Sequence, residues 1–332
     1  MYSVRVIVLV FVLNEILSSV SGIKWLSLAT LSSAGQGEGL TSREEECDRL
    51  EGLVRKQKQL CKRSLEMMSA VRDGAIEAIA ECQYQFKDRR WNCSTTGRGQ
   101  GLKGHKSAEL FGKLGNSGTR ESAYVHAITS AGVAFVVTKT YSAGLLDRCG
   151  CDGSVAASAT ASSGSRSRTS KADFEWSGCS DNIAYGAAFS RAFVDARERV
   201  QGKMAAKALM NLHNNDAGRK AIEEGMWTQC KCHGVSGSCE LKTCWRSMPQ
   251  FRSVASTLKS RYDGAIEVSE VRSGTRRDLI PRNPKLRSAK DTDLVYLEAS
   301  PDFCEPDSRT GASGTRGRVC SHVSNSTDGC DV

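Results

Sequence analysis

Ser236 stands in the densest group of reactive side chains of this chain, Cys230-Lys231-Cys232-His233-Gly234-Val235-Ser236-Gly237-Ser238-Cys239-Glu240-Leu241-Lys242-Thr243-Cys244-Trp245. Thiols, an imidazole and hydroxyls at this spacing admit several chemistries. If Cys230 bonds Cys244 and Cys232 bonds Cys239, the bridges nest, and an antiparallel hairpin sets such partners across from each other within disulfide reach. Residues His233 to Ser238 then form the tip. Gly234 and Gly237 flank Ser236 and are expected to make the sharp turn while leaving its hydroxyl uncovered. A zinc site would also use Cys and His, but no Cys-x-x-Cys knuckle is present. A hydrolase elbow needs Gly-x-Ser-x-Gly, and here the last position is Ser238. A plain disulfide hairpin with Ser236 merely exposed stays open. His233 is expected to shape the loop, and Trp227 and Trp245 to pack at the hairpin base.

Which chemistry applies depends on the compartment. Arg5 precedes the apolar run Val6 to Leu13, and Ser19, Ser21 and Gly22 follow. That layout predicts a signal peptide over residues 1–22, with a buried N-terminal strand as the alternative. The run is too short to span a bilayer. In an exported chain the 14 cysteines are disulfide halves by default. The sequons Asn92-Cys93-Ser94 and Asn325-Ser326-Thr327 agree with export. With 5 histidines and no nucleophile–base pair, no enzyme is expected, and neither catalytic residues nor a metal are assigned.

The formal charge is +9, densest at Arg272, Arg276, Arg277, Arg282, Lys285, Arg287 and Lys290. Outside a cell such a run meets sulfated polysaccharide or a membrane surface rather than nucleic acid. A solvated linker is the plainer explanation.

The length favours two domains. From Glu44 to about Glu224 the pattern is mostly helical. Met68, Val71, Ala75, Ile79, Cys82 and Phe86 form one apolar stripe, and Tyr124, Ile128, Ala131, Phe135 and Thr138 another. Tyr185, Phe189 and Phe193 form a third, after Ser180 or Asp181 as the helix cap. Thr95 to Gly118 and Asp152 to Ser170 are too poor in apolar residues to order themselves and are read as loops. Asp293 to Glu298 is extended, and the tail 301–332 is rich in turn formers and, without staples, too small for its own core.

The hairpin sequence resembles the lipid-bearing hairpin of Wnt proteins. Further words of that family recur in order: Glu81 to Phe86 with Arg90 to Ser94, Cys149-Gly150-Cys151, Trp176 to Asn182, and Ser300 to Cys304. Leu209 to Asn215 is most similar to the Wnt-four group.

The resemblance implies a mainly α fold. Residues 40–278 would form a helical N-terminal domain carrying an acylated hairpin at 227–246. A linker at 279–300 and the incomplete start of a cysteine-rich β-hairpin domain at 301–332 would follow. It implies a secreted ligand found in extracellular space and matrix, active in development and cell fate. A membrane O-acyltransferase would esterify Ser236 with a monounsaturated fatty acid, and a membrane carrier would export the product. His233, Gly234, Val235 and Gly237 would help present the acyl chain to the cysteine-rich domain of a Frizzled receptor. A lipoprotein-receptor-related co-receptor would bind elsewhere, with heparan sulfate proteoglycan a further partner. There would be no cofactor besides the covalent acyl chain.

The implied bridges are Cys82–Cys93, Cys151–Cys179, Cys230–Cys244, Cys232–Cys239, Cys320–Cys330 and Cys47–Cys61. Cys149 and Cys304 are left over. The family's partner for Cys149 falls where this chain has Tyr141, and that for Cys304 falls beyond Val332.

Overall fold

A computed structural model of the chain describes residues 23–30, 43–50, 52–94, 114–146, 150–152, 175–176, 179–199, 205–239, 242–274, 276–307, 312–324 and 329–330. The expected signal peptide, Cys149, Asn325 and most of both expected loops lie outside them. The fold is mainly α with small sheets.

The organising element is a long helix, Arg120–Ser142 (α4), preceded by α1 (Arg43–Arg49), α2 (Arg55–Arg63) and α3 (Met67–Gln85). Thr119 caps α4 by accepting from the Ser122 amide. The stripe from Tyr124 to Thr138 is buried, but so are Ala123, Val125, Ala127, Val133, Ala134 and Val137. A helix that is apolar on every side belongs in the middle of a bundle. Around it pack α3, α5 (Ile183–Val194), α6 (Ala206–Gly225) and α7 (Phe251–Asp263).

The closest of these contacts needs glycine. A Cβ on Gly74 of α3 would lie 2.6 Å from the Gly132 carbonyl oxygen of α4, so the two backbones touch only because neither position has a side chain. Phe86 sets its edge against Trp91, Tyr124 and Tyr262, with centroids 4.7, 4.8 and 4.9 Å away. That cluster joins α3, α4 and α7.

Polar groups lock the helices where burial makes loss costly. Arg219 of α6 and Asp195 after α5 are both 1% exposed and meet through two 3.1 Å hydrogen bonds. Asn214 of α6 both donates to the Val295 carbonyl and accepts from the Val295 amide. Leu209 to Asn215 therefore lies on α6, where Asn211, Asn214 and Asn215 are buried polar residues.

Among the described residues, three small sheets complete the fold. The first has the order β1-β3-β2, from Glu175–Trp176, Lys242–Ser247 and Trp227–Cys232. In the second, β4 (Ile266–Ser273) pairs antiparallel with β5 (Arg276–Pro281) and parallel with β6 (Val295–Tyr296). Residues 279–300 thus begin inside β5 and include β6, held to the helical body by Asn214. Of the expected loop at 95–118, the last part is packed: Leu114 is 2% exposed, and the Gly118 carbonyl accepts from Leu297 and Glu298. In the tail, β7 (Pro306–Asp307) pairs with β8 (Ala312–Ser313). Phe303 is 7% exposed, its ring 6.4 Å from that of Trp91, so the tail begins on the helical core rather than apart from it.

His126 of α4 is 3% exposed, and its Nε2 is 3.2 Å from the Gly115 carbonyl. Burial pushes its pKa down to about 4 from the ordinary 6.5, against smaller upward effects of Gly115 and Asn215. The folded chain refuses a proton that the unfolded chain accepts, so the contribution of His126 to stability is full above about pH 6.5 and falls as the pH drops towards 4; Glu198, whose pKa burial raises to about 7, acts in the opposite sense over this range. The expected loss is about 3 kcal/mol. Urea unfolding across this range checks it: the stability difference between the native chain and His126→Gln should change by about this amount between pH 6.5 and 4, and a difference that does not vary with pH would contradict the assignment.

Candidate functional site

Strands β2 and β3 pair in one register, which sets Cys230 directly across from Cys244 and Cys232 across from Lys242. Cys230 and Cys244 are bridged with their Cα atoms 4.1 Å apart. A second bridge joins Cys232 to Cys239, 4.7 Å between Cα atoms, closing the loop above the last strand pair. Cys244 is 1% exposed, whereas the tip above it is open: Val235 is 91% exposed and Ser236 is also exposed.

Inside the closed loop, Val235–Gly237 forms a single 3₁₀ turn. The Gly234 amide donates to the Ser238 carbonyl (2.8 Å), and the Ser238 amide to the Val235 carbonyl (3.2 Å). His233 Nε2 lies 2.8 Å from Thr243 Oγ1, tying the loop back to β3.

The turn is not made as the glycines suggested. Gly234 has an ordinary φ of −73°, and the left-handed residue is Ser236 itself, at φ 58° and ψ 24°. Gly234 is required for space: a Cβ there would collide with Ser238, including its carbonyl carbon at 2.8 Å. Ser236 therefore holds a backbone conformation that costs a non-glycine residue about 1 kcal/mol or more. The bridges and hydrogen bonds around it over-determine that conformation.

The hairpin stands on a foot. Cys151–Cys179 and the Asp152 amide to the Ser180 carbonyl (2.9 Å) fix the strip before α5. From it, the Asp181 amide donates to the Arg246 carbonyl, Ser180 Oγ accepts from the Arg246 amide, and Asp181 Oδ2 accepts from the Met248 amide. The helix cap expected of Ser180 or Asp181 is Asn182, whose side chain accepts from the Tyr185 amide at 3.0 Å. Ser180 and Asp181 are instead used up on the end of β3. Trp227 does not pack at the base as expected: it is 52% exposed. Trp245 is half-buried.

The remaining cysteines place as follows. Cys47–Cys61, Cys82–Cys93 and Cys320–Cys330 are bridged, and Cys304 is the one free cysteine among the described residues. Tyr141 stacks on Tyr185 at 3.8 Å, beside Gly150. Asn92 is half-buried next to the bridged Cys93. Among the described residues no group of His, Cys, Asp and Glu could hold a metal ion, and no helix is long and apolar enough to cross a membrane.

The basic run is largely paired. Arg272 and Arg277 meet Glu270, Arg276 meets Asp278, Arg282 meets Glu267, and Arg287 meets Asp293.

The model of the wnt family matches residues 49–332. The chain belongs to the Wnt family. It is 45% identical over 286 residues to Protein Wnt-2b-A of Xenopus laevis, covering 86% of this chain and 76% of that one. A solved structure described as human WLS in complex with WNT8A is similar at 37% identity with a TM-score of 0.52, covering 78% of this chain and 76% of that one. The Wnt-four subgroup finds no support here, and the segment that suggested it consists partly of buried asparagines that serve the fold. As a Wnt, the chain is a secreted signalling ligand of developmental pathways and not an enzyme.

Replacing Cys232 and Cys239 by alanine should leave the Cys230–Cys244 register intact while freeing the tip. Hydrogen exchange at the Gly234 and Ser238 amides should accelerate at least about tenfold, with a stability loss of about 2–3 kcal/mol from the opened loop. Unchanged protection would contradict the bracing role given to this bridge.

Proposed function

We propose that Ser236 carries a fatty acyl ester, and that this hairpin presents the chain to a Frizzled receptor to activate Wnt signalling. One observation carries the reading: a serine hydroxyl, held in a left-handed turn, stands exposed at the end of a doubly bridged hairpin. A packed fold gains nothing from bracing an exposed serine in this conformation, whereas a transferase active site can receive it.

Acylation joins Ser236 Oγ to the carbonyl carbon of an activated fatty acid as the bond to its carrier breaks. The hydroxyl proton goes to the base of a membrane O-acyltransferase. His233 faces Thr243 and serves the shape of the tip rather than this proton transfer. At the receptor each buried methylene contributes about 0.8 kcal/mol, so ten supply on the order of 8 kcal/mol before ordering costs. Val235, 91% exposed beside the acylated residue, adds an apolar contact, while Gly234 lets Ser238 close against the loop.

The likeness to a Wnt bound to WLS supports a membrane carrier in export. A lipoprotein-receptor-related co-receptor would bind away from the hairpin. In this reading residues 40–278 are the presenting domain, 279–300 pack back onto it through β5 and β6, and 301–332 belong to a cysteine-rich unit. Glycans at Asn92 and Asn325, and retention in extracellular matrix, accompany secretion. Heparan sulfate is a secondary partner, because residues 266–293 hold five acidic side chains against seven basic ones.

Mass spectrometry of the peptide containing Ser236, after co-expression with the acyltransferase, should reveal a fatty acyl adduct. Ser236→Ala should keep the fold and lose secretion and receptor activation by more than about tenfold. An unmodified serine, or full signalling by the alanine variant, would overturn the reading.

A further inference from the structure

The two faces of the hairpin differ. Side chains alternate along a strand, so the register places Thr228, Cys230, Cys232 and Cys244 on one face. The other carries Trp227, Gln229 and Lys231 from β2 and Thr243, Trp245 and Ser247 from β3. The Ser247–Gln229 hydrogen bond (3.2 Å) and the His233–Thr243 bond run along this second face.

Among the described residues β2 is the outer strand of its sheet, with Trp227 at its start and 52% exposed, and Trp245 half-buried beside it. A tryptophan left half in water on an edge strand is an unusually large apolar surface. Lys231 is the one formally charged side chain that β2 and β3 place on this face, and its methylene stem can extend the apolar strip.

We infer that the Trp227–Trp245 face is a resting site for a long-chain acyl group esterified to Ser236, occupied while no receptor groove is available. The inference rests on the acylation proposed above. Dimensions support it. From Cys232 to Trp227 the strand advances five residues, or roughly 17 Å. A long acyl chain advances a little over about 1 Å per bond, so about sixteen carbons reach from the tip to Trp227. Tethering supplies the occupancy: attachment nearby gives an effective concentration on the order of millimolar, so a shallow strip suffices where a free fatty acid would not stay bound. A receptor groove that encloses more methylenes then takes the chain from this face.

The test uses the full chain co-expressed with the acyltransferase and fed a fatty acid with a terminal bromine, a short-range quencher of tryptophan emission. Mass spectrometry first establishes whether Ser236 is acylated. If it is not, the acylation reading fails and this inference with it. With the adduct present, emission should fall relative to the unbrominated acyl form, by no more than the share of two of the 5 tryptophans. Trp227→Leu with Trp245→Leu should abolish that difference while circular dichroism stays unchanged. Quenching should also be independent of protein concentration. An acylated chain without quenching, quenching that survives the double variant, or quenching that grows with concentration would overturn the resting site while leaving acylation standing.

Discussion

The register of one strand pair sets everything the hairpin can do. Side chains on a strand alternate, so a slip of one residue would exchange the faces of β2 and part Cys230 from Cys244. The cross-strand bridge, 4.1 Å between Cα atoms, forbids that slip. The outer bridge then closes a loop too short to relax, which keeps Ser236 in its left-handed conformation. Removing the inner bridge would free the register, and the outer one would close a loop with no fixed orientation.

A braced tip is useful only if its base is fixed. The helical body provides this through the strip before α5, where Ser180 and Asp181 take the Arg246 and Met248 amides and the Asp181 amide gives to Arg246. That strip is held in turn by Cys151–Cys179, by the cap at Asn182, and by the bond from the Asn182 amide to Ser142 at the end of α4. The route from the buried middle of the bundle to the exposed serine is therefore short. Ordering costs are met during folding, so an acyl chain presented at the tip would lose little of its burial energy to immobilising its own support.

Much of this was legible in the sequence, but unevenly. The stripes at Met68 to Phe86 and Tyr124 to Thr138 announced α3 and α4, because burial enforces the helical period. Helix α7 carries Phe251, Val254, Ala255 and Leu258 at the same spacing, but its stripe is short and follows a cysteine-dense stretch whose composition favours irregular structure. The β4–β5 hairpin was hidden among arginines whose acidic partners lie two to fifteen residues away in sequence. At the site, the order of cysteines pointed to the hairpin, but local propensity misled. Sequence assigns Gly234 the turn, whereas its role is to let Ser238 approach, and only three-dimensional crowding reveals that. Asp181 fits a cap as well as a strand-end acceptor, and the choice depends on a partner 67 residues away.

The most direct measurement is a non-reducing tryptic map of the secreted chain. Cleavage after Lys220, Lys231, Lys242 and Arg246 yields peptides 221–231, 232–242 and 243–246 from this region. Nested bridges predict that 221–231 and 243–246 travel as one linked pair, while 232–242 runs alone with an internal disulfide. Three peptides linked together, or free thiols at Cys230 and Cys232, would mean that no braced hairpin holds Ser236.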